Sequence, residues 1–169
     1  LAAVVLKLLV YYIHLAITYN YDLRFQYYIY LIFPAIGILL TVWFVKRILP
    51  NGRQNRGIAP IVYSIEKRSS VLPTHGMYSH VVTAGLTVGL GGSAGLEAPI
   101  VATGASIGSN YGRVYRRGYR ERRLLLAAGP AGGIAGAFNA PIAGVIFATE
   151  VLLADVTIAA FIPLLVAAA

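Results

Sequence analysis

The sequence predicts an all-α integral membrane protein built from tilted, partly re-entrant helices. Three observations carry this. The 169 residues are 58% hydrophobic, and only 12% are charged, against roughly 25% charged in an ordinary soluble domain. Mean hydropathy is +0.72. Twelve of the fourteen Lys and Arg residues fall in two blocks, Lys46 to Arg68 and Arg113 to Arg123, each bounded by apolar runs. A chain so poor in charge turns most of its surface toward something other than water. The +8 net charge is concentrated where a membrane protein places cytoplasmic charge, so no nucleic-acid partner is expected, although Tyr and Arg interleave between Tyr111 and Arg123.

The elements follow in order. A bilayer-crossing helix needs about 20 mostly apolar residues, and Leu1 to Tyr19 and Tyr27 to Leu49 supply two, joined by the polar link Asn20 to Gln26. Tyr11, Tyr12, Tyr19, Tyr21, Tyr27, Tyr28 and Tyr30 crowd this link, as an interfacial belt does. The second helix stops at Lys46-Arg47-Ile48-Leu49-Pro50-Asn51-Gly52-Arg53, which the positive-inside tendency makes cytoplasmic. Gly57 to Ile65 is too short to cross and is followed by more basic charge, so it reads as re-entrant. Val71 to Leu90 crosses outward and breaks at Gly91-Gly92-Ser93-Ala94-Gly95. Pro99 to Tyr111 returns to the second basic block, Leu124 to Ala137 crosses again, Phe138-Asn139-Ala140-Pro141 breaks it, and Ile142 to Leu153 returns. The organisation is one transmembrane unit over 1–169: two spanning helices in 1–50, a broken-helix region in 57–153, and the start of a further helix in 154–169. Leu1 is not Met and the final apolar run has no terminator, so the chain is read as an internal piece of a longer protein. Gly104 with Gly108, Gly129 with Gly133, and Gly132 with Gly136 are each four apart, a spacing that lets helices pack closely.

Broken helices survive at membrane depth only where protein or a water-filled cavity covers the freed backbone groups, and such segments point to a transport site. Gly95-Leu96-Glu97-Ala98-Pro99 stands out. Glycine permits the turn, and proline suits the first helical position, where its missing N–H is not needed. The helix expected from Pro99 aims free N–H groups and its positive dipole end at Glu97, an ionisable residue within an apolar stretch. The plainer reading is a helix cap on a wet loop. Gly57-Ile58-Ala59-Pro60 and Phe138-Asn139-Ala140-Pro141 repeat the pattern, so three helix starts are expected to serve one site. One helix end contributes about 0.3–1 kcal/mol, up to ~2 when partly buried, whereas a charge at the bilayer centre costs at least ~2.5–3.5 kcal/mol. One end does not offset that cost; several together can.

At these residues the sequence resembles the CLC chloride channels and transporters. The resemblance spans roughly Gly57 to Leu153 and, weakly, the two preceding helices. Its strongest part is the run from Gly129-Pro130-Ala131-Gly132-Gly133 through Phe138-Asn139-Ala140-Pro141 to Ala148-Thr149-Glu150. Gly95-Leu96-Glu97-Ala98-Pro99 is similar to the family's G-[KR]-E-G-P, and Arg56-Gly57-Ile58-Ala59-Pro60 to its G-S-G-I-P, in matching order and spacing. The resemblance implies a homodimer with one anion pore per subunit, built from two inverted repeats, of which this piece is the first. It implies that Glu97 is the gate, competing with the anion for the helix end, and that Gly57, Ile58, Gly95, Leu96 and Ala98 line the anion sites. It implies that Ile142 onward faces the dimer partner.

Departures from the family pattern bear on mechanism. Gly57 stands in place of the pore serine, Leu96 in place of a basic residue, and His80 where relatives often carry lysine. Val151 follows Glu150 where exchangers usually carry a glutamate for the inner proton route, which favours passive conduction; Glu150 itself is the candidate proton-pathway residue, with a structural carboxylate as the plainer reading. The expected function is thus a voltage- or pH-gated channel for chloride or other small anions in the cell or inner membrane. A chloride/proton antiporter of the same family and a non-conducting membrane scaffold are the alternatives. No enzyme chemistry, cofactor or metal is expected: cysteine is absent and His14, His75 and His80 are scattered.

Overall fold

Interrupted apolar runs become helices wherever a backbone can close its own hydrogen bonds, and in this chain the interruptions decide where each helix stops. The computed structural model describes residues 2–18, 26–49, 57–67, 69–153 and 158–169. Regular structure among the described residues is entirely helical: α1 (Ala2–Thr18), α2 (Gln26–Ile48), α3 (Ala59–Glu66), α4 (Gly76–Gly89), α5 (Glu97–Val114), α6 (Tyr119–Phe138), α7 (Pro141–Phe147), continued by a π-helical segment (Ala148–Leu153), and α8 (Ile158–Ala168). The all-α expectation holds. Of the tyrosine belt, Tyr19, Tyr21 and the side chains of Tyr27, Tyr28 and Tyr30 lie outside the described residues, as do Arg53, Arg56 and Arg68. Tyr11 and Tyr12 are exposed and meet edge to face at 5.7 Å.

Several boundaries differ from the sequence expectation. α4 begins at Gly76, because Pro73 holds the preceding residues out of the helix. α5 begins at Glu97, so Pro99 is its third residue, not its first. The amides of a first turn have no intrahelical acceptor, so a proline anywhere within it costs no hydrogen bond. α6 starts five residues early, inside the basic block, with Glu121 favourably placed in its first turn. The helix ends follow local chemistry: at α4, Gly91 takes φ +90°, its amide donates to Val88 O at 3.0 Å and that of Gly92 to Thr87 O at 2.8 Å. This pair of bonds is a Schellman cap. Asn139, at φ 54°, ends α6 in the left-handed region that asparagine tolerates.

The core is the α5–α6 pair with α7 and α8 around it. Val101, Ala105, Leu126, Ala127, Ala131, Val145 and Leu164 are essentially inaccessible. Contact is close because the facing residues are small. A Cβ added at Gly104 would stand 2.5 Å from Gly129 O, and one at Gly132 would stand 2.5 Å from Ala167 O. Gly108 faces the Leu125 backbone and Gly133 faces Ile100, whereas Gly136 faces open space. The glycine pairs are therefore packing devices at every position but the last. Buried polar groups on α5 secure the chain entering α4: Ser109 Oγ donates to Ser70 O and accepts from Leu72 N, both at 2.8 Å, and Asn110 donates to Leu72 O and Ser106 O.

Helix directions place the described parts of the two basic blocks at one end. Thr41 on α2 meets Thr83 and Thr87 on α4, while Gly37 meets Leu86 and Leu90, so the two helices are antiparallel. The C-terminal turn of α2, with Lys46 and Arg47, therefore lies at the same end as the start of α4. The end of α5 and the start of α6 lie there too, since Asn110 reaches Leu72 and Tyr119 reaches Ile65 O.

Lys7, the cation inside the first apolar helix, donates to Ala137 O at the end of α6. This is an orphan carbonyl of the last turn, where a cation is also favoured by the helix dipole. Lys7→Met is expected to lower stability by about 1.5–3 kcal/mol, the worth of a charged hydrogen bond. Thermal unfolding in detergent would show it, and an unchanged transition would reduce the contact to an incidental one.

Candidate functional site: two uncapped helix starts on one cleft

Ile58 and Leu96 are the N-caps of α3 and α5, and neither helix has a side-chain cap hydrogen bond. Helices ordinarily place Ser, Thr, Asp or Asn there to satisfy first-turn amides. Apolar caps leave those donors free. Pro60 and Pro99 each remove one N–H from their turn, so the free groups on α5 are concentrated at Glu97 and Ala98. The first helical bond of α5 runs from Ile100 N to Leu96 O at 3.1 Å.

A cleft of about 370 Å³ brings the two starts together: Gly57, just before α3, and Gly95, Ala98 and Pro99, at the start of α5, all line it. Gly57 is at φ +71°, a left-handed conformation that glycine adopts without strain. A serine at this position would meet a backbone that disfavours it. The opposite wall comes from α2 and α4, with Thr41, Thr83 and Thr87 forming a polar seam. Thr41 Oγ1 lies 3.1 Å from Thr87 Oγ1 and donates to Thr83 O at 3.4 Å. Lys46 and His80 also line the cleft. A second, smaller chamber of about 20 Å³ adjoins it and shares Gly57 and His80.

The remaining sequence-derived residues fall around this cleft in different ways. Glu97 is exposed, in the first turn of α5, and its carboxylate folds back onto Gly95 so closely that a side chain at 95 would collide with it. It therefore sits over the helix start without itself lining the cleft. The side chain of Leu96 packs against the cluster of Leu6, Ala84 and Ile100, and that of Ile58 against the main core; neither residue lines the cleft. The third start, Phe138-Asn139-Ala140-Pro141, does not line either space. Phe138 is exposed and α7 is drawn against α6, with Gly144 facing the Ala131 backbone. Convergence thus joins two helix starts and leaves the third apart.

Glu150 lies away from the cleft, exposed on the π-helical segment, beside Val151, which is 42% exposed. Thr149 Oγ1 donates to Val145 O and Ile146 O at 3.1 and 2.9 Å, and Arg123 donates to Leu153 O at the segment's end. Residues the sequence reading passed over are Thr41 and Lys46 on α2 and Thr83 and Thr87 on α4. Their spacing was a usable signal, since 80, 83, 84 and 87 share one helical face and so do 41, 42, 45 and 46.

Over 46 residues, 27% of its length, the chain is 52% identical to a ClcB-like chloride channel protein of Ralstonia nicotianae, and that stretch spans 11% of the relative's length. Residues 36–169 match the family model described as voltage gated chloride channel. That match takes in both uncapped helix starts, the glycine-packed α5–α6 pair and the π-helical segment. The chain belongs to the voltage-gated chloride channel family, whose members are membrane proteins.

Proposed function

We propose that this chain forms the first of two inverted repeats of an anion-conducting pore, with Glu97 as its gate. The supporting observation is the shared cleft: Gly57, beside the N-cap of α3, and Gly95, Ala98 and Pro99, at the start of α5, line one space, and neither helix start has a side-chain cap. Two helix ends supply up to about 4 kcal/mol in favourable geometry, comparable with the ~2.5–3.5 kcal/mol lower bound for a charge at the bilayer centre. Lys46 adds positive potential to the wall. Gly57, Ile58, Gly95, Leu96 and Ala98 bind the anion through backbone groups, so a small anion such as chloride is the substrate. Glu97, already folded over Gly95, occupies the same positive region when the anion is absent and vacates it when neutralised or displaced.

The chain lies in the membrane as a multi-pass unit. Leu31–Ile48 is long and apolar enough to cross, with 6% of it buried within the chain, and Ala2–Ala16 and Pro141–Leu153 are shorter apolar helices. Ile142, Ile146, Ile162 and Val166 leave α7 and α8 with exposed apolar side chains, a surface suited to the homodimer partner.

Passive conduction is favoured over exchange, because Val151 carries no proton. In liposomes containing the full-length protein, a chloride gradient is expected to drive chloride efflux without moving protons uphill. Proton accumulation would replace the channel with an antiporter, and Glu150→Gln abolishing it would identify the relay. No chloride flux at all, with the protein folded and inserted, would leave the non-conducting scaffold.

A further inference from the structure

The small chamber beside the anion cleft is bounded by two histidines. His75 caps the start of α4 and His80 lies five residues on; both line the chamber, together with Ser106 of α5 and Gly57. Its volume of about 20 Å³ is enough for one water, which needs roughly 10–15 Å³ and two to four polar partners. The two imidazoles and the Ser106 hydroxyl are such partners. Nδ1 of His75 is buried with no hydrogen-bond partner in the protein, an arrangement that costs free energy unless a water satisfies it. His80 lines both the chamber and the main cleft, so a charge in the chamber is felt at the helix start where the anion binds.

We propose that His75 and His80 form a protonation site coupled to anion occupancy at the Gly57 helix start. The inference rests on the cleft being the anion site. A histidine gains its positive charge as pH falls. An imidazolium beside the cleft strengthens anion binding, and by reciprocity a bound anion favours the imidazolium by the same factor. Anion affinity accordingly rises as pH falls. Other charges on the elements packed around α4 set the background. Lys46 of α2 lines the same cleft and opposes protonation. Glu97 of α5 lies over Gly95 at its rim and favours it while ionised. Lys7 and His14 of α1, Glu66 of α3 and Arg113 of α5 line neither space.

The test separates the histidines from the gate. Chloride binding to the full-length protein is measured calorimetrically at pH 5.5 and 7.5 in the Glu97→Gln background, which removes the carboxylate as a titrating competitor. Binding about five- to tenfold tighter at pH 5.5 is expected, within the usual range of site coupling, and His80→Gln or His75→Gln should bring the ratio close to one. In protein with both histidines intact, saturating chloride should move their imidazole NMR titrations to higher pH, with resonances assigned through the single variants. This second readout stands even where a variant fails to fold. An affinity ratio untouched by both substitutions, or titrations unmoved by chloride, overturns the coupling and leaves two packed histidines. Chloride bound equally at both pH values removes this proposal alone; chloride bound at neither removes the anion site with it.

Discussion

Replacing Glu97 with Gln is expected to raise resting chloride flux in liposomes by between about twofold and thirtyfold. The range follows from what a carboxylate gains at a helix N-terminus, about 0.3–2 kcal/mol, at 1.4 kcal/mol per factor of ten. Glu97 lies in the first turn of α5, its carboxylate against Gly95, where unsatisfied amides and the helix dipole favour negative charge. On the proposed function a permeating chloride seeks the same region, so carboxylate and anion exclude one another. Glutamine keeps the shape and drops the charge, imitating the neutralised gate. Glu97→Ala should behave alike or conduct more, since it also clears the rim of the cleft. Glu97→Asp is the informative intermediate: its charge is kept but its shorter reach weakens the competition. Flux indistinguishable from wild type in both Gln and Ala variants would remove Glu97 from the pathway.

Gly104→Leu is expected to be among the most damaging single substitutions in the described core. A Cβ at this position stands 2.5 Å from Gly129 O, 2.6 Å from Gly129 C and 2.9 Å from Pro130 N. All three atoms are backbone, so no side chain can rotate away, and the helices must separate. Overpacking a well-filled interior typically costs 1–3 kcal/mol and sometimes more; here the larger figure applies, about 3 kcal/mol or above, because separation also uncovers the core along Val101, Ala105, Leu126 and Ala131. Close approach through small residues is what holds helices together in lipid, where apolar side chains gain little by leaving the hydrocarbon. Size-exclusion profiles and unfolding temperature in detergent should both collapse. Gly136→Ala is the matched control. Its Cβ meets nothing within 4 Å, and alanine is the better helix former by roughly 0.5–1 kcal/mol, so stability should hold or rise. Equal tolerance at 104 and 136 would refute the backbone-contact account of the α5–α6 seam.

Much of this architecture was legible because it depends on local chemistry. Charge scarcity and the two basic blocks established a membrane class, and the breaks at Gly91 to Gly95 and at Asn139 were visible as residues that take left-handed backbone. Boundaries were less legible where two local rules competed. Proline at 99 suggested a helix beginning there, yet any first-turn position tolerates proline, and α5 reached back to Glu97. The basic block from Arg113 was read as loop, but Tyr119 to Arg123 are adequate helix formers with Glu121 suitably placed, and α6 took them.

The π-helical segment was not legible at all. Ile142 to Leu153 was read as one returning helix, and the structure widens the turn at Ala148. That change resets which faces Glu150 and Val151 present. A wide turn is seldom encoded by residue type; it is stabilised by neighbours, here by Thr149 bonding back to Val145 and Ile146 and by Arg123 holding Leu153 O.

By itself the sequence determined what is written in composition and nearest neighbours: a helical membrane chain, the places where its helices break, apolar caps that leave first-turn amides free, and a carboxylate at one of them. Tertiary packing alone decided which of those helix ends share a space. The same small-residue-then-proline pattern occurs three times, but only the starts of α3 and α5 border one cleft, because the polar seam of Thr41, Thr83 and Thr87 holds α2 against α4 and closes the far wall. Helix dipoles act over a single turn. Their sum at a point therefore depends on where helices a hundred residues of chain cannot specify locally come to rest, and that is settled by which surfaces pack.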